Sequence, residues 1–241
     1  MDLGLQGKVA LVTAASKGLG FATADALRAE GVRVVICARG QEALDAAAAR
    51  LGAPDDVLAI ARDITDPDAP ADLVAAAVEK FGRLDIVVPN AGGPPPGRAL
   101  DVDEDAIARA INANMTTSIR LVQAAVPHMR AGGWGRICLI TSSSVKQPIG
   151  SLSLSNVSRT ALWAWAKTAA TDLFADGITL NQACPGVHAT DRMKELAATM
   201  SPDAMGDPAD FGRVVAFLCS EPAGFITGTS LVVDGGSLAG L

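Results

Sequence analysis

KVALVTAASKGLG, residues 8–20, decides how the chain folds, because it reads as a buried strand that turns directly into a helix. Its first six residues are almost continuously apolar, as expected of a strand that helices cover on both faces. Glycines then allow a tight turn, and apolar residues recur at helical spacing until Gly31. A strand, a glycine-rich turn and a helix in this order are typical of a dinucleotide-binding unit, where the helix N-terminus meets a pyrophosphate.

The same alternation of strands and helices continues along the whole chain. We predict strands at residues 8–13, 32–38, 57–61, 84–90, 136–141, 178–185 and 230–236. We predict helices at residues 18–30, 43–51, 67–81, 102–129, 152–174 and 207–220, the third of them capped by Asp66. This order predicts an α/β fold: a single Rossmann-type, doubly wound domain over residues 1–241, with a seven-stranded, mostly parallel sheet flanked by helices.

Composition excludes several classes of protein. The net charge of −6 disfavours binding to nucleic acid or to an anionic membrane. No apolar run reaches the roughly 18 residues of a membrane span, and MDLGLQGKVALV lacks the pattern of a secretory signal. The four cysteines lie singly in apolar runs, never at metal-site spacing. We therefore expect a cytoplasmic protein with free thiols and no metal.

Four motifs, in order, resemble those of the short-chain dehydrogenase/reductase family. TAASKGLG (13–20) is similar to its TGxxxGxG loop, and PNAG (89–92) to its NNAG. The PG of CPGVHAT (184–190) and the segment GTSLVVDGG (228–236) resemble its later motifs. Together they span nearly the whole chain. The resemblance implies an oxidoreductase that binds NAD(P), acts on a small molecule, and forms a homodimer or homotetramer.

The resemblance also implies the cofactor contacts. They are Thr13, Ala15, Ser16, Lys17, Gly18, Leu19 and Gly20 in the first loop, Asp63 and Ile64 near the adenine, Asn90, Ala91, Gly92 and Arg159 near the ribose, and Pro185, Gly186, Val187 and Thr190 near the nicotinamide. Ala14 replaces the first glycine of the family's loop. A methyl group is compatible with a negative φ there, so we expect weaker phosphate contact and not loss of binding.

The end of the second strand indicates which cofactor is preferred. It carries Arg39 and no acidic residue, and Lys17 adds a second positive charge. An acidic side chain would bind the ribose 2′-hydroxyl of NAD, whereas arginine accommodates the 2′-phosphate of NADP. We therefore expect NADP(H) in preference to NAD(H).

The catalytic positions depart from the family. Members typically use an Asn-Ser-Tyr-Lys set, of which Asn114 (with Asn112 a close rival) and Ser142 match the first two. Ser155, thirteen positions after Ser142, stands where the tyrosine should be, and Arg159 stands for the lysine. The chain contains no tyrosine at all.

This replacement changes the available chemistry. Tyrosine starts with a pKa of about 10 that a neighbouring cation can lower, whereas a serine hydroxyl is a far weaker acid and arginine stays protonated. We expect Ser155 to polarise the substrate but to be a poor general acid. Arg159 can still grip the nicotinamide ribose and keep the local potential positive.

Three alternatives follow. The enzyme reduces a substrate whose product anion is already stabilised, such as an enone, a vinylogous acid or a hydroxyaryl ketone, with the proton taken from water or substrate. Alternatively, Lys146 or His188 donates the proton. In the third, the chain is a catalytically silent cofactor-binding or scaffolding protein.

We favour the first alternative, because Ser142, Asn114 and the cofactor residues persist together. SSSVKQPIG (142–150) followed by LSNVSR (154–159) also resembles the conjugate reductases of antibiotic pathways, which lack the tyrosine. That resemblance implies a ketoreductase or enoyl reductase acting in secondary metabolism.

Overall fold

The predicted strands form one sheet in which every neighbouring pair is parallel, in the order β3-β2-β1-β4-β5-β6-β7. A computed structural model describes residues 1–196, 201 and 204–239. The strands are β1 (Val9–Thr13), β2 (Arg33–Ala38), β3 (Val57–Ala61), β4 (Ile86–Val88), β5 (Gly135–Ile140), β6 (Ile178–Pro185) and β7 (Ser230–Val233). The architecture is the Rossmann-type α/β fold that the alternation predicts.

Helices cover both faces of this sheet. They are α1 (Gly18–Ala29), α2 (Gln41–Leu51), α3 (Ala69–Phe81), α4 (Glu104–Ile111), α5 (Thr117–Gly132), α6 (Ser153–Phe174), α7 (Asp191–Leu196) and α8 (Pro208–Leu218). A π-helical segment, Asn112–Thr116, joins α4 to α5, and a short 3-10 turn, Ser143–Val145, follows β5.

The strand β1 shows why its residues are apolar throughout. Side chains of a strand point alternately to opposite faces. Ala10 and Val12 pack with α1, α2 and α8, whereas Val9 and Leu11 pack with α3, α5 and α6. Because both faces are covered, neither set can be polar.

The order of the strands also sets where a ligand can bind. β1 lies between β2 and β4, so the strand order reverses direction at β1. The connection after β1 leads to a helix on one face of the sheet, and the connection after β4 leads to α5 on the other face. In open parallel sheets this reversal leaves a crevice at the carboxyl ends of the strands, and ligands bind there. The loops after β1 and β4 border this crevice.

Three local details differ from what the sequence predicts. The helix expected over residues 102–129 is two helices separated by the π-helical segment. The third helix begins at Ala69, so Asp66 does not cap it and instead closes a turn onto the Asp63 carbonyl. The helix α7, in a segment left without a prediction, begins at Asp191.

Two observations bear on the classes excluded by composition. Over the ranges that the structure describes, no helix is long and apolar enough to cross a membrane. All four cysteines are buried free thiols.

Candidate functional site

The loops after β1 and β4 are tied together across the crevice. The Thr13 hydroxyl donates to the Asn90 carbonyl at 2.7 Å and accepts from the Asn90 N–H at 2.8 Å. The Asn90 side-chain amide donates to the Ala14 carbonyl at 3.3 Å. The Thr13 side chain thus fixes the backbone of Asn90, and the Asn90 side chain fixes the backbone of Ala14, at the point where the strand order reverses.

The first turn of α1 is open to an anion. No side chain caps it, and it contains no acidic residue. A Cβ atom at Gly20 would overlap the Ala14 carbonyl and lie 2.8 Å from the Asn90 amide, so only glycine allows this close approach. A Cβ at Gly18 would lie 3.5 Å from the Thr190 methyl group. The uncapped backbone amides in the first turn of α1 fit a cofactor pyrophosphate.

Ala14 is held in an unfavourable backbone conformation. Its φ is +48°, and among the described residues it is the only one other than glycine with a positive φ. The negative φ with which a methyl group would be compatible is therefore not what the structure shows. For an L-residue this left-handed conformation costs roughly 1–2 kcal/mol, because Cβ crowds the following carbonyl oxygen. The family's glycine carries no such cost.

Positive charge collects where the adenosine half of a cofactor would lie. Lys17 and Arg39 are both exposed, and neither lies within 4.0 Å of a carboxylate in the described ranges. The Asp63 carboxylate accepts the N–H and hydroxyl of Thr65 at 2.9 and 2.8 Å. These bonds, aided by the charge of Arg39, hold the pKa of Asp63 below its usual value. The two basic side chains remain available to a phosphate.

Ser142 follows the carboxyl end of β5, and its hydroxyl is used only as an acceptor among the described residues. Its hydroxyl oxygen caps the 3-10 turn by accepting the Ser144 N–H at 3.1 Å. This bond uses an acceptor site of the hydroxyl and leaves its proton free to donate. Accepting an N–H also polarises the O–H bond, which makes Ser142 a better donor.

Arg159, on α6, links the loop after β4 to the end of β5 by hydrogen bonds. Its buried guanidinium donates through Nη1 to the carbonyls of Ile140 at 3.0 Å and Thr141 at 2.7 Å, and through Nη2 to Ala91 at 3.4 Å. Burial, with the nearby charge of Arg192, lowers the pKa of Arg159 to about 10, so it remains a cation at neutral pH. In the described ranges, its Nε–H and second Nη2–H have no partner.

The start of α6 is fixed to the loop after β4, and this fixes Ser155. The Ser153 N–H and hydroxyl donate to the Gly97 carbonyl at 3.1 and 2.8 Å, and the Gly97 N–H donates to Ser151 at 2.8 Å. Ser155 is buried and lies one turn before Arg159, on the same face of the helix. The spacing predicted from the sequence is therefore preserved in the helix.

The π-helical segment separates the two candidate asparagines. Asn114 is 3% exposed, its amide donates to the Ala110 carbonyl at 3.3 Å, and its Oδ1 has no partner in the structure. Asn112 instead donates to the Thr65 carbonyl at 3.4 Å. A buried acceptor without a donor costs about 1–3 kcal/mol, which a water or ligand hydrogen bond removes. This geometry favours Asn114, whose segment packs against α6.

The two candidate proton donors lie in different surroundings. The Lys146 ammonium stands 5.2 Å above the ring of Trp163. His188 is buried edge-to-face against Phe211, with ring centroids 5.1 Å apart, and its Nδ1 lies 3.3 Å from the Gly186 carbonyl. Burial lowers the pKa of His188, so the ring is neutral at pH 7.

The loop after β6 adds a residue that the sequence did not single out. The Gly186 N–H donates to the Val233 carbonyl at 2.9 Å, which holds the loop against β7. Arg192, in the first turn of α7, donates through Nη1 to the Gly93 carbonyl at 2.6 Å and through Nη2 to Pro94 at 3.0 Å. A single arginine outside any recognisable motif gives no sequence signal, since only the fold brings it to the loop after β4.

Similarity to known proteins extends over nearly the whole chain. The family model described as Enoyl-(Acyl carrier protein) reductase matches residues 13–237. Dehydrogenase/reductase SDR family member 4 of Bos taurus is 35% identical over 98% of this chain and 89% of that protein. Tropinone reductase-like 3 of Erythroxylum coca is 33% identical over 96% and 93%.

Solved structures share this fold. L-sorbose reductase from Gluconobacter frateurii, in complex with NADPH and L-sorbose, superposes with a TM-score of 0.92 at 31% identity, over 100% of both chains. YwfH, an NADPH-dependent reductase involved in bacilysin biosynthesis, has the same fold at 24% identity, with a TM-score of 0.92 over 97% of this chain and 99% of that one.

Proposed function

The chain belongs to the short-chain dehydrogenase/reductase family of oxidoreductases, and we propose that it is an NADPH-dependent reductase of a small ketone or enone that works without a tyrosine. The observation that carries the proposal is Arg159, a buried cation fixed to the loop after β4 and to the end of β5, where its Nη1 binds the carbonyl of the residue before Ser142. Together they supply a charge and a donor at the cofactor crevice.

The preference for NADPH follows from charge. Lys17 and Arg39 are exposed cations beside the adenosine half of the crevice and have no carboxylate partner among the described residues. A 2′-phosphate would be held by these charges, whereas a free 2′-hydroxyl needs an acidic partner. The NADPH bound to L-sorbose reductase, a relative at 31% identity, supports the same choice.

The residues present can stabilise an oxyanion better than they can protonate it. Bound reduced nicotinamide would supply the hydride. Ser142 would donate its free proton to the substrate oxygen, and Ser155, which we place at the tyrosine position, would donate a second hydrogen bond. Arg159 would stabilise the negative charge that develops on that oxygen. The substrates that suit this set form a delocalised anion, such as the enolate left by an enone.

The proton then comes from water or from the substrate. Asn114 Oδ1, a buried acceptor without a donor, would hold such a water between the π-helical segment and α6. A neutral, buried His188 is a poor acid. The Lys146 ammonium stands over the Trp163 ring, which favours its charged form by a cation–π contact. Both are therefore weaker candidates than water.

The first experiment measures cofactor binding without requiring a substrate. At a hundredfold excess over Kd, NADPH should stabilise the fold by about 2.7 kcal/mol, a rise in melting temperature of about 5–10 °C. NADH should give a smaller rise. Arg39→Glu should reverse this preference, and Arg213→Gln, a surface arginine on α8, should leave it unchanged. Equal shifts with both cofactors would contradict the preference for NADPH.

The second experiment tests turnover. NADPH oxidation at 340 nm with a panel of enones and aryl ketones should fall 100- to 1,000-fold in Ser142→Ala, the range seen when an oxyanion donor is removed. Ser151→Ala is the matched control, because only its backbone carbonyl is used. A protein that shifts with neither cofactor and oxidises no NADPH would instead be the catalytically silent alternative.

A further inference from the structure

Two arginines from different elements bind one short stretch of backbone beside the crevice. Arg159, on α6, donates to the Ala91 carbonyl. Arg192, on α7, donates to the carbonyls of Gly93 and Pro94, which are two and three residues further along the same loop. The two guanidinium groups therefore bind carbonyls that are only two or three residues apart in the loop that follows β4, and the charge of Arg192 contributes to lowering the pKa of Arg159.

Among the side chains that the structure describes, none compensates either charge. Within residues 1–193, 201 and 204–239, no carboxylate lies within 4.0 Å of Arg159 or Arg192. This is unexpected in a chain with a net charge of −6. A buried cation is costly without a counter-ion, and a second cation nearby adds repulsion. The crevice is thus arranged so that binding of an anion relieves both costs.

We propose that the substrate carries a carboxylate next to the double bond that is reduced, and that Arg192 binds this carboxylate. The inference rests on the proposed function and names its substrate class. Arg192 uses two of its five N–H donors on Gly93 and Pro94, which leaves three for a ligand in the described part of the site. A guanidinium is suited to a carboxylate because it can donate two parallel hydrogen bonds.

The pairing of charges gives each arginine a separate task. Arg192 neutralises the charge that the substrate brings, and Arg159 remains available for the charge that hydride addition creates. Without Arg192, a bound carboxylate would oppose the oxyanion that forms beside it.

Binding of a matched acid and amide tests this directly. The probes are 3-benzoylacrylate, which combines an enone, an aryl ketone and a carboxylate, and its uncharged primary amide. They are titrated calorimetrically into protein saturated with NADP+, which has no hydride to give, so that binding is measured without turnover. We expect the acid to bind at least tenfold more tightly than the amide.

Variants then assign the preference to one side chain. Arg192→Gln should raise the Kd of the acid about tenfold and leave that of the amide unchanged, and Arg192→Lys should retain part of the preference. Arg213→Gln, which removes a positive charge from the exposed face of α8, is the control and should change neither. Melting temperatures near that of the parent protein confirm that each variant is folded.

Three results would overturn the proposal. They are equal binding of acid and amide, an acid preference that survives Arg192→Gln, and an Arg192→Gln effect confined to the affinity for NADP+, which would assign Arg192 to the cofactor phosphates. Failure of the proposed function looks different. An Arg192-dependent acid preference, measured with or without NADP+, in a protein that oxidises no NADPH would support this site and refute the reductase.

Discussion

Replacing Ala14 by glycine should stabilise the protein. The φ of +48° costs an alanine roughly 1–2 kcal/mol, and a glycine would not incur this cost. Glycine also gains freedom in the unfolded chain, which offsets about 0.4–1 kcal/mol of the benefit. The net stabilisation is on the order of 0.5–1 kcal/mol, or a rise in melting temperature of about 1–4 °C for a chain of this size.

Urea unfolding and calorimetry can measure this change against a matched substitution. Ala46 is exposed in the middle of α2, where glycine should destabilise by about 0.5–1 kcal/mol. The two alanine-to-glycine changes should therefore shift the unfolding midpoint in opposite directions. If Ala14→Gly lowers the midpoint as Ala46→Gly does, the assignment of backbone strain to Ala14 is wrong.

Three further perturbations test other parts of the site. Gly20→Ala should weaken NADPH binding at least tenfold, because its methyl group would overlap the Ala14 carbonyl; Gly40→Ala, which meets open space, should leave the Kd unchanged. Arg159→Met should lower the melting temperature by about 6–12 °C, since three carbonyls lose a donor at about 1 kcal/mol each; an unchanged value would show that these bonds do not stabilise the fold. Because burial lowers the pKa of His188, the unfolded chain binds a proton there that the native state does not. Stability should therefore fall as the pH drops below about 6.5, and His188→Gln should flatten that part of the pH profile measured by urea unfolding.

The fold could be predicted from the sequence because its signals are local. The apolar run of β1, the glycines after it and the helical spacing that follows each fall within a dozen residues. Parallel pairing then follows from the alternation of strands with helices. The interruption of the helix after β4 could not be predicted from the sequence. Residues 102–129 have helical spacing throughout, and nothing in the sequence of Asn112–Thr116 marks the extra residue of a π turn.

The site could be predicted only in part. Motif spacing brought Ser142, Ser155 and Arg159 to one region, and the structure places the Arg159 guanidinium directly under the end of β5. Arg192 could not be found this way, since it approaches Arg159 only through the loop after β4. The positive φ of Ala14 also depends on a distant residue, because the Asn90 amide holds its carbonyl.

The π-helical segment allows the length of the chain before it to change without moving α5. Removing one of its five residues would produce a continuous α-helix and rotate α4 by about 100° relative to α5. The buried face of α5 would stay on the sheet, while the short, largely exposed α4 would absorb the rotation. Insertions and deletions between β4 and Asn114 can therefore be accommodated by movement of α4. We expect homologues to differ in length in that segment and to keep the length and position of α5.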